Sequence, residues 1–220
     1  MLYIVPTPVG NLEDMTLRGL RILKEVDLIL AEDTRTSSKL LKYYDIDTPL
    51  KAYHAFNEHK VTQQIVDTLS AGSSMALITD AGTPGISDPG FYLVRACVEA
   101  EVPLTCLPGA TSFVPALVAS GLPSDKFFFE GFLPHKKGRQ TRLQYLSTLP
   151  YTFILFESPH RLVKTLDQLI THCGADRYAC VAREISKVYE SIDTASLSDL
   201  NTKYASSKVK GEIVVIVEGS

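Results

Sequence analysis

The chain has 220 residues, enough for one large domain or two small ones with proper cores. Apolar residues at 45% and charged residues at 21% exclude a disordered, collagen-like or disulfide-scaffold chain. A formal charge of −3 means that any contact with a polyanion must be local rather than a property of the whole surface.

From the N-terminus onward, apolar runs of strand length alternate with stretches of helical spacing, the pattern of βα units around a largely parallel sheet. Strands are predicted over 2–5, 27–31, 50–53, 75–79 and 104–107. Thr16 caps a helix with Leu17, Leu20, Leu23 and Val26 on one face, and 62–69 has the same spacing. The run 109–123, rich in small residues and containing a helix, separates a second series: strands at 127–130, 152–156, 178–182 and 213–217, with helices at 139–149, 161–172 and 197–206. The expected organisation is two α/β domains, 1–115 and 116–220, packed directly together. Cys97, Cys106, Cys173 and Cys180 form no C-x-x-C pair and have no histidine beside them at ligand spacing, so they read as free thiols and no metal site is expected. The first ten residues lack a charged n-region and a long apolar stretch, and no apolar run nears the ~20 residues that span a bilayer. A cytoplasmic protein without a membrane partner is the expectation.

In open α/β sheets ligands bind beyond the carboxyl ends of the strands, so the turns that follow each strand carry the functional information. The first strand runs into Pro6-Thr7-Pro8-Val9-Gly10-Asn11, the second into Glu32-Asp33-Thr34-Arg35, and the third into His54 with Asn57 and Glu58. The fourth runs into Asp80-Ala81-Gly82-Thr83-Pro84-Gly85-Ile86-Ser87-Asp88-Pro89-Gly90, and the fifth into Pro108-Gly109-Ala110-Thr111-Ser112. In the second series the strand ends carry Glu130, Glu157 through Arg161, and Arg183-Glu184. Five of the nine residues 82–90 are Gly or Pro, against 25 of 220 overall, which marks a loop built to a shape. It matches neither a dinucleotide fingerprint nor a phosphate-binding P-loop, and Ser87 is out of register with a hydrolase nucleophile elbow.

The segments PTPVGNLEDMTLR, AEDTR, LITDAGTPGISDPG, LPGATS, FEGFLP, FESPHRL and REISK stand in order along the chain. With them the sequence resembles the tetrapyrrole methylase superfamily, and within it the ribosomal RNA small subunit methyltransferase I branch, from residue 2 to about 218. The resemblance implies S-adenosylmethionine as cofactor, held in a cleft between two α/β domains of the class III methyltransferase fold. It places cofactor contacts on Pro8, Gly10, Gly82, Thr83, Pro84, Ile86, Thr111 and Ser112; on physical grounds adenine suits an apolar slot, which Ile86 and Leu133 are expected to help line. Tetrapyrrole-modifying relatives have Gly-Asp-Pro where this chain has Gly82-Thr83-Pro84, so an acidic contact passes to Asp80. Members of the branch carry a second histidine at the place of Phe56, and many continue past the last strand into a helical extension.

The implied reaction is 2′-O-methylation of a cytidine ribose in 16S ribosomal RNA near the decoding centre, free or within the 30S subunit, by a homodimer. A base for the hydroxyl proton is sought among Glu32, Asp33, His54, Glu157 and Glu184, which spacing does not rank. Asp33 with Arg35 is the preferred pair, Arg35 holding phosphate and Asp33 orienting the sugar or accepting its proton, with Glu157 as a further catalytic candidate. Residues 135–142 hold Lys136, Lys137, Arg139 and Arg142 without an acid and are expected, with His54, to contact RNA. A small-molecule methylase of the tetrapyrrole type and a non-catalytic cofactor- and RNA-binding assembly factor are the alternatives. A hydrolase using Ser87 and His54 is a remote third.

Overall fold

A computed structural model describes residues 1–220, and the chain divides into two compact units, Met1–Thr111 and Ser112–Ser220. Unit 1 contains β1 (Leu2–Ile4), α1 (Leu17–Glu25), β2 (Leu28–Ala31), α2 (Thr34–Tyr43), β3 (Leu50–Ala52), α3 (Glu58–Ser70), β4 (Met75–Ile78), α4 (Phe91–Glu99) and β5 (Leu104–Cys106). Its sheet is wholly parallel with strand order β3-β2-β4-β1-β5. Successive side chains of a strand face opposite sides, and both faces are covered. Leu2, Ile4, Leu30 and Leu77 pack with Ile65, Leu69, Leu93 and Cys97 of α3 and α4. Val5, Ile29, Ala31, Ala76 and Ile78 pack with Ile22, Leu23 and Leu41 of α1 and α2. Thr16 caps α1 as expected, its hydroxyl accepting from the Gly19 N–H.

Unit 2 contains α5 (Phe113–Ser120), β6 (Phe127–Phe132), α6 (Arg139–Ser147), β7 (Thr152–Glu157), α7 (Leu162–Cys173), β8 (Tyr178–Arg183), β9 (Ser191–Ser196), α8 (Leu197–Ala205) and β10 (Ile213–Val217). Here the expectation of a largely parallel sheet is corrected. The order is β6-β7-β10-β8-β9, and only β6 and β7 run parallel, while β10 is antiparallel to both neighbours and β9 antiparallel to β8. The cause is β9, which follows β8 through a short turn and so reverses direction; a parallel return would need a crossover helix.

Three elements escape the sequence pattern. The helix α2, TRTSSKLLKY, buries only Ser37 and Leu41 and has little apolar stripe to read. The helix α4 starts directly after the Gly/Pro loop with Phe91 and Tyr92, residues that favour strands. The strand β9, SIDTAS, lies at a sheet edge with one neighbour and is mostly polar. No helix is long and apolar enough to cross a membrane.

Candidate functional site

The adjacent strands β4, β1 and β5 deliver the three loops singled out by sequence, and backbone bonds stitch those loops together. Thr7 and Gly82 exchange N–H···O bonds of 2.9 Å each, an isolated antiparallel bridge between the first and fourth loops. The Thr7 hydroxyl donates to the Thr79 carbonyl at 2.9 Å, and the Thr83 hydroxyl to the Ala110 carbonyl at 3.0 Å, tying in the fifth loop. Gly82 has φ +82°, a conformation costly for any side chain. A Cβ on Gly109 would lie 2.8 Å from the Pro6 ring, so only glycine allows this approach. Ser87, not a glycine, also has positive φ at 63°, strain that the surrounding turn has to maintain. Pro8 is half-buried, Gly10 exposed, Pro84 buried, and Ile86 leaves 40% of its surface in solvent. Thr111 and Ser112 are half-buried, and Ser112 precedes α5 without making a side-chain capping bond.

Beside these loops three carboxylates surround the end of β4. The Thr79 hydroxyl donates to Glu32 Oε2 at 2.6 Å and also reaches Asp88. Burial, helped by the charges of Glu32 and Asp80, pushes the Asp88 carboxyl up to about 6. Asp80 is raised as well, by burial first and then by Glu32, although it accepts a bond from the Asp33 N–H. Asp33 is the opposite case. It caps α2 and receives the Arg35 N–H at 2.8 Å, with Arg35 Nε at 3.1 Å and Nη2 at 2.6 Å, and these bonds hold it down at about 2. A carboxylate so committed is a poor proton acceptor, which corrects the reading of Asp33 as the base. The Arg35 side chain remains 89% exposed.

Glu157 is also corrected. At 3% exposure, it accepts from the Ser158 N–H at 2.7 Å and Arg161 Nε at 2.8 Å on one oxygen. The other oxygen receives the Thr165 hydroxyl at 2.6 Å and faces Arg139 Nη2 at 3.5 Å. Every lone pair is directed to a structural partner, so it holds unit 2 together. Arg139 is therefore no RNA contact: it is 5% exposed and also binds Gln168, the Pro134 carbonyl and Thr165. Arg142 lies against the Phe128 and Tyr145 rings and pairs with Glu130 at 2.5 Å. Of the basic run only Lys136 and Lys137 stand exposed without a protein partner. Leu133, expected to line the adenine slot, is 2% exposed and packs in the unit 2 core with Leu143 and Leu155. His54 is half-buried; its Nδ1 is buried without a partner and its ring lies 6.1 Å from that of Phe56.

The residue that sequence reasoning missed is Asp88. Its position inside the Gly/Pro-rich loop is a signal, but the neighbours that raise its affinity for a proton come from β2 and β4.

A stitched Gly/Pro loop at the carboxyl end of a parallel sheet, followed by a second α/β unit, defines a recognisable class. Residues 1–201 match the family model Tetrapyrrole (Corrin/Porphyrin) Methylases, and the chain belongs to this family. Among curated relatives, "Ribosomal RNA small subunit methyltransferase I" of Synechocystis sp. is 47% identical over 221 residues, covering 100% of this chain and 79% of the relative. The protein of the same name from Escherichia coli O157:H7 is 46% identical, covering 99% and 77%. Among solved structures, uroporphyrin-III C-methyl transferase from Thermus thermophilus, complexed with S-adenyl homocysteine, superposes with a TM-score of 0.67 at 20% identity over 99% of this chain and 96% of that one. That likeness concerns the fold.

Proposed function

We propose that the chain is an S-adenosylmethionine-dependent methyltransferase acting on 16S ribosomal RNA in the cytoplasm, and that its acceptor is the ribose 2′-hydroxyl of a cytidine near the decoding centre. The observation that carries the reading is the joining of the β1, β4 and β5 loops beside the carboxylates Glu32, Asp80 and Asp88. The substrate class follows from the relatives' names at 46–47% identity over essentially the whole chain.

The residues fit the cofactor. A sulfonium and an ammonium are both cations, and Glu32 and Asp80 supply complementary charge. The tight approach at Gly109 and the bridged Gly82 leave backbone rather than side chain facing a ligand. Pro8, Gly10, Gly82, Thr83, Pro84, Ile86, Thr111 and Ser112 are the residues that would hold it. Ser112, whose hydroxyl does not cap α5, is free to serve a carboxylate. When bound, the cofactor supplies an electrophilic methyl group on sulfur.

The chain's own residues do the rest. Asp88, whose carboxyl is pushed up to about 6, would take the proton that the ribose hydroxyl gives up on methylation. Thr79 orients that carboxyl, and Glu32 sets its charge environment. Arg35, Lys136 and Lys137 offer exposed cations for backbone phosphates. The test is transfer of labelled methyl from S-adenosylmethionine to 30S subunits lacking the modification, followed by alkaline digestion. A 2′-O-methyl group blocks cleavage of its own phosphodiester, so the label should appear in an alkali-resistant dinucleotide. Label in mononucleotides would mean base methylation, and no label in RNA would refute the substrate.

A further inference from the structure

Two ring groups flank the first turn of α3 at the carboxyl end of the unit 1 sheet, and nothing in the folding of that unit accounts for their exposure. On one side Phe56 is 94% exposed, with the His54 ring 6.1 Å away. The turn beneath it is fixed: Asn57 Oδ1 accepts from the His54 N–H at 2.9 Å, Asn57 Nδ2 donates to the Ala52 carbonyl at 3.1 Å, and the His54 carbonyl receives the Asn57 and Glu58 N–H groups. On the other side the His59 ring lies 4.3 Å from that of Tyr92, which is 5.7 Å from Phe91. Tyr92 and Phe91 are 45% and 60% exposed, and Phe91 follows Gly90, the last residue of the Gly/Pro loop.

Lys60 supplies a cation at the rim of these rings. The acid of this segment, Glu58, is buried with its carboxylate toward the Tyr53 hydroxyl, while His59 and Lys60 stay outside. Exposed rings beside a lysine suit unpaired nucleotides, whose bases offer flat π faces and whose phosphates take the positive charge. A protein partner would be expected to bury such rings against aliphatic side chains and has no need of the lysine. Clustered large apolar side chains left in water mark contact surfaces rather than fold.

We infer that Phe56 on one side of the α3 N-terminal turn, and His59, Tyr92 and Phe91 on the other, form a stacking surface for unpaired bases of the RNA substrate, with Lys60 on the phosphates. The inference rests on the proposed RNA substrate and adds that the RNA is engaged single-stranded, beside the loop that carries Asp88.

The experiment is fluorescence anisotropy with a labelled single-stranded RNA of about 12 nucleotides, within the usual span of such sites, and with the same strand in a duplex. Phe56→Ala and the double variant Phe91→Ala/Tyr92→Ala should each weaken single-strand binding about tenfold, the cost of losing a stacked base. Phe91→Trp and Tyr92→Phe should retain it, while calorimetric affinity for S-adenosylmethionine and the melting temperature stay unchanged in all variants. Equal affinity of wild type and alanine variants for the single strand would overturn the stacking surface while leaving the RNA substrate standing. Equal loss for single strand and duplex would also overturn it, because stacking on unpaired bases predicts a difference. A wild type that binds neither RNA, yet binds the methyl donor, would instead refute the substrate on which the inference rests.

Discussion

Both units place carboxylates at the carboxyl ends of their strands, but the two sets live in opposite circumstances. In unit 1, Glu32 and Asp88 meet at the Thr79 hydroxyl with Asp80 nearby, and Asp88 is pushed up to about 6. In unit 2, Glu157 is more deeply buried yet meets two guanidinium groups, a hydroxyl and a backbone N–H. Burial alone therefore does not mark a reactive carboxylate. What separates the two is compensation: a buried acid with every oxygen partnered is architecture, and one facing other acids is poised to hold and release a proton. Asp33 completes the comparison, since its neighbour Arg35 compensates it fully although it lies close to the unit 1 cluster.

The contrast can be broken most severely in unit 2. Arg139→Ala leaves the Glu157 carboxylate short of a cation in a dry interior and should cost roughly 3 kcal/mol, read as a lower urea midpoint. The folded fraction should bind RNA as wild type does, which separates this arginine from a phosphate contact. In unit 1, Thr83→Trp should reduce S-adenosylmethionine affinity at least about 100-fold in calorimetry by filling the loop between Gly82 and Ala110, with only a modest change in melting temperature. Normal affinity there would place the cofactor elsewhere.

Smaller effects sharpen the comparison. Lys136→Ala/Lys137→Ala should weaken RNA binding and reduce its salt slope by up to about 1.4, the value for two phosphate contacts on a single strand. An unchanged slope would remove the basic loop from the interface. Asp88→Asn should raise stability at pH 7.5 by about 1 kcal/mol, allowing for solvent screening. The sign follows from linkage: the folded chain holds the Asp88 proton more tightly than the unfolded chain, so ionisation costs stability as pH rises from about 4 through about 6. The variant avoids that cost, and its advantage should vanish below pH about 4. Asp33 works in the other direction, adding stability above about pH 4 that is lost as pH falls toward about 2.

Much of this was legible in the sequence for identifiable reasons. The inner unit 1 strands β1, β2 and β4 are short apolar runs with both faces covered, so they stand out from the helices between them. The loop 82–90 declares itself by its Gly and Pro density, because its backbone conformation demands those residues. The basic run misled because counting cations ignores where they point: Arg139 faces inward to Glu157, and Arg142 is held by the nearly buried Glu130. Leu133 misled because a leucine after a strand serves a core and a ligand slot equally well. Asp88 stayed hidden because its proton affinity depends on Glu32 and Asp80, which only the folded sheet brings near.

The most direct test is the pH dependence of single-turnover methyl transfer to unmodified 30S subunits by wild type and by Asp88→Asn. The account predicts a wild-type rate that rises as Asp88 ionises around pH 6 and then levels. It predicts a variant at least about 100-fold slower that lacks this rise, while S-adenosylmethionine affinity is retained within a few-fold. A variant with the wild-type rate and profile would contradict the assignment of the reactive carboxylate to unit 1.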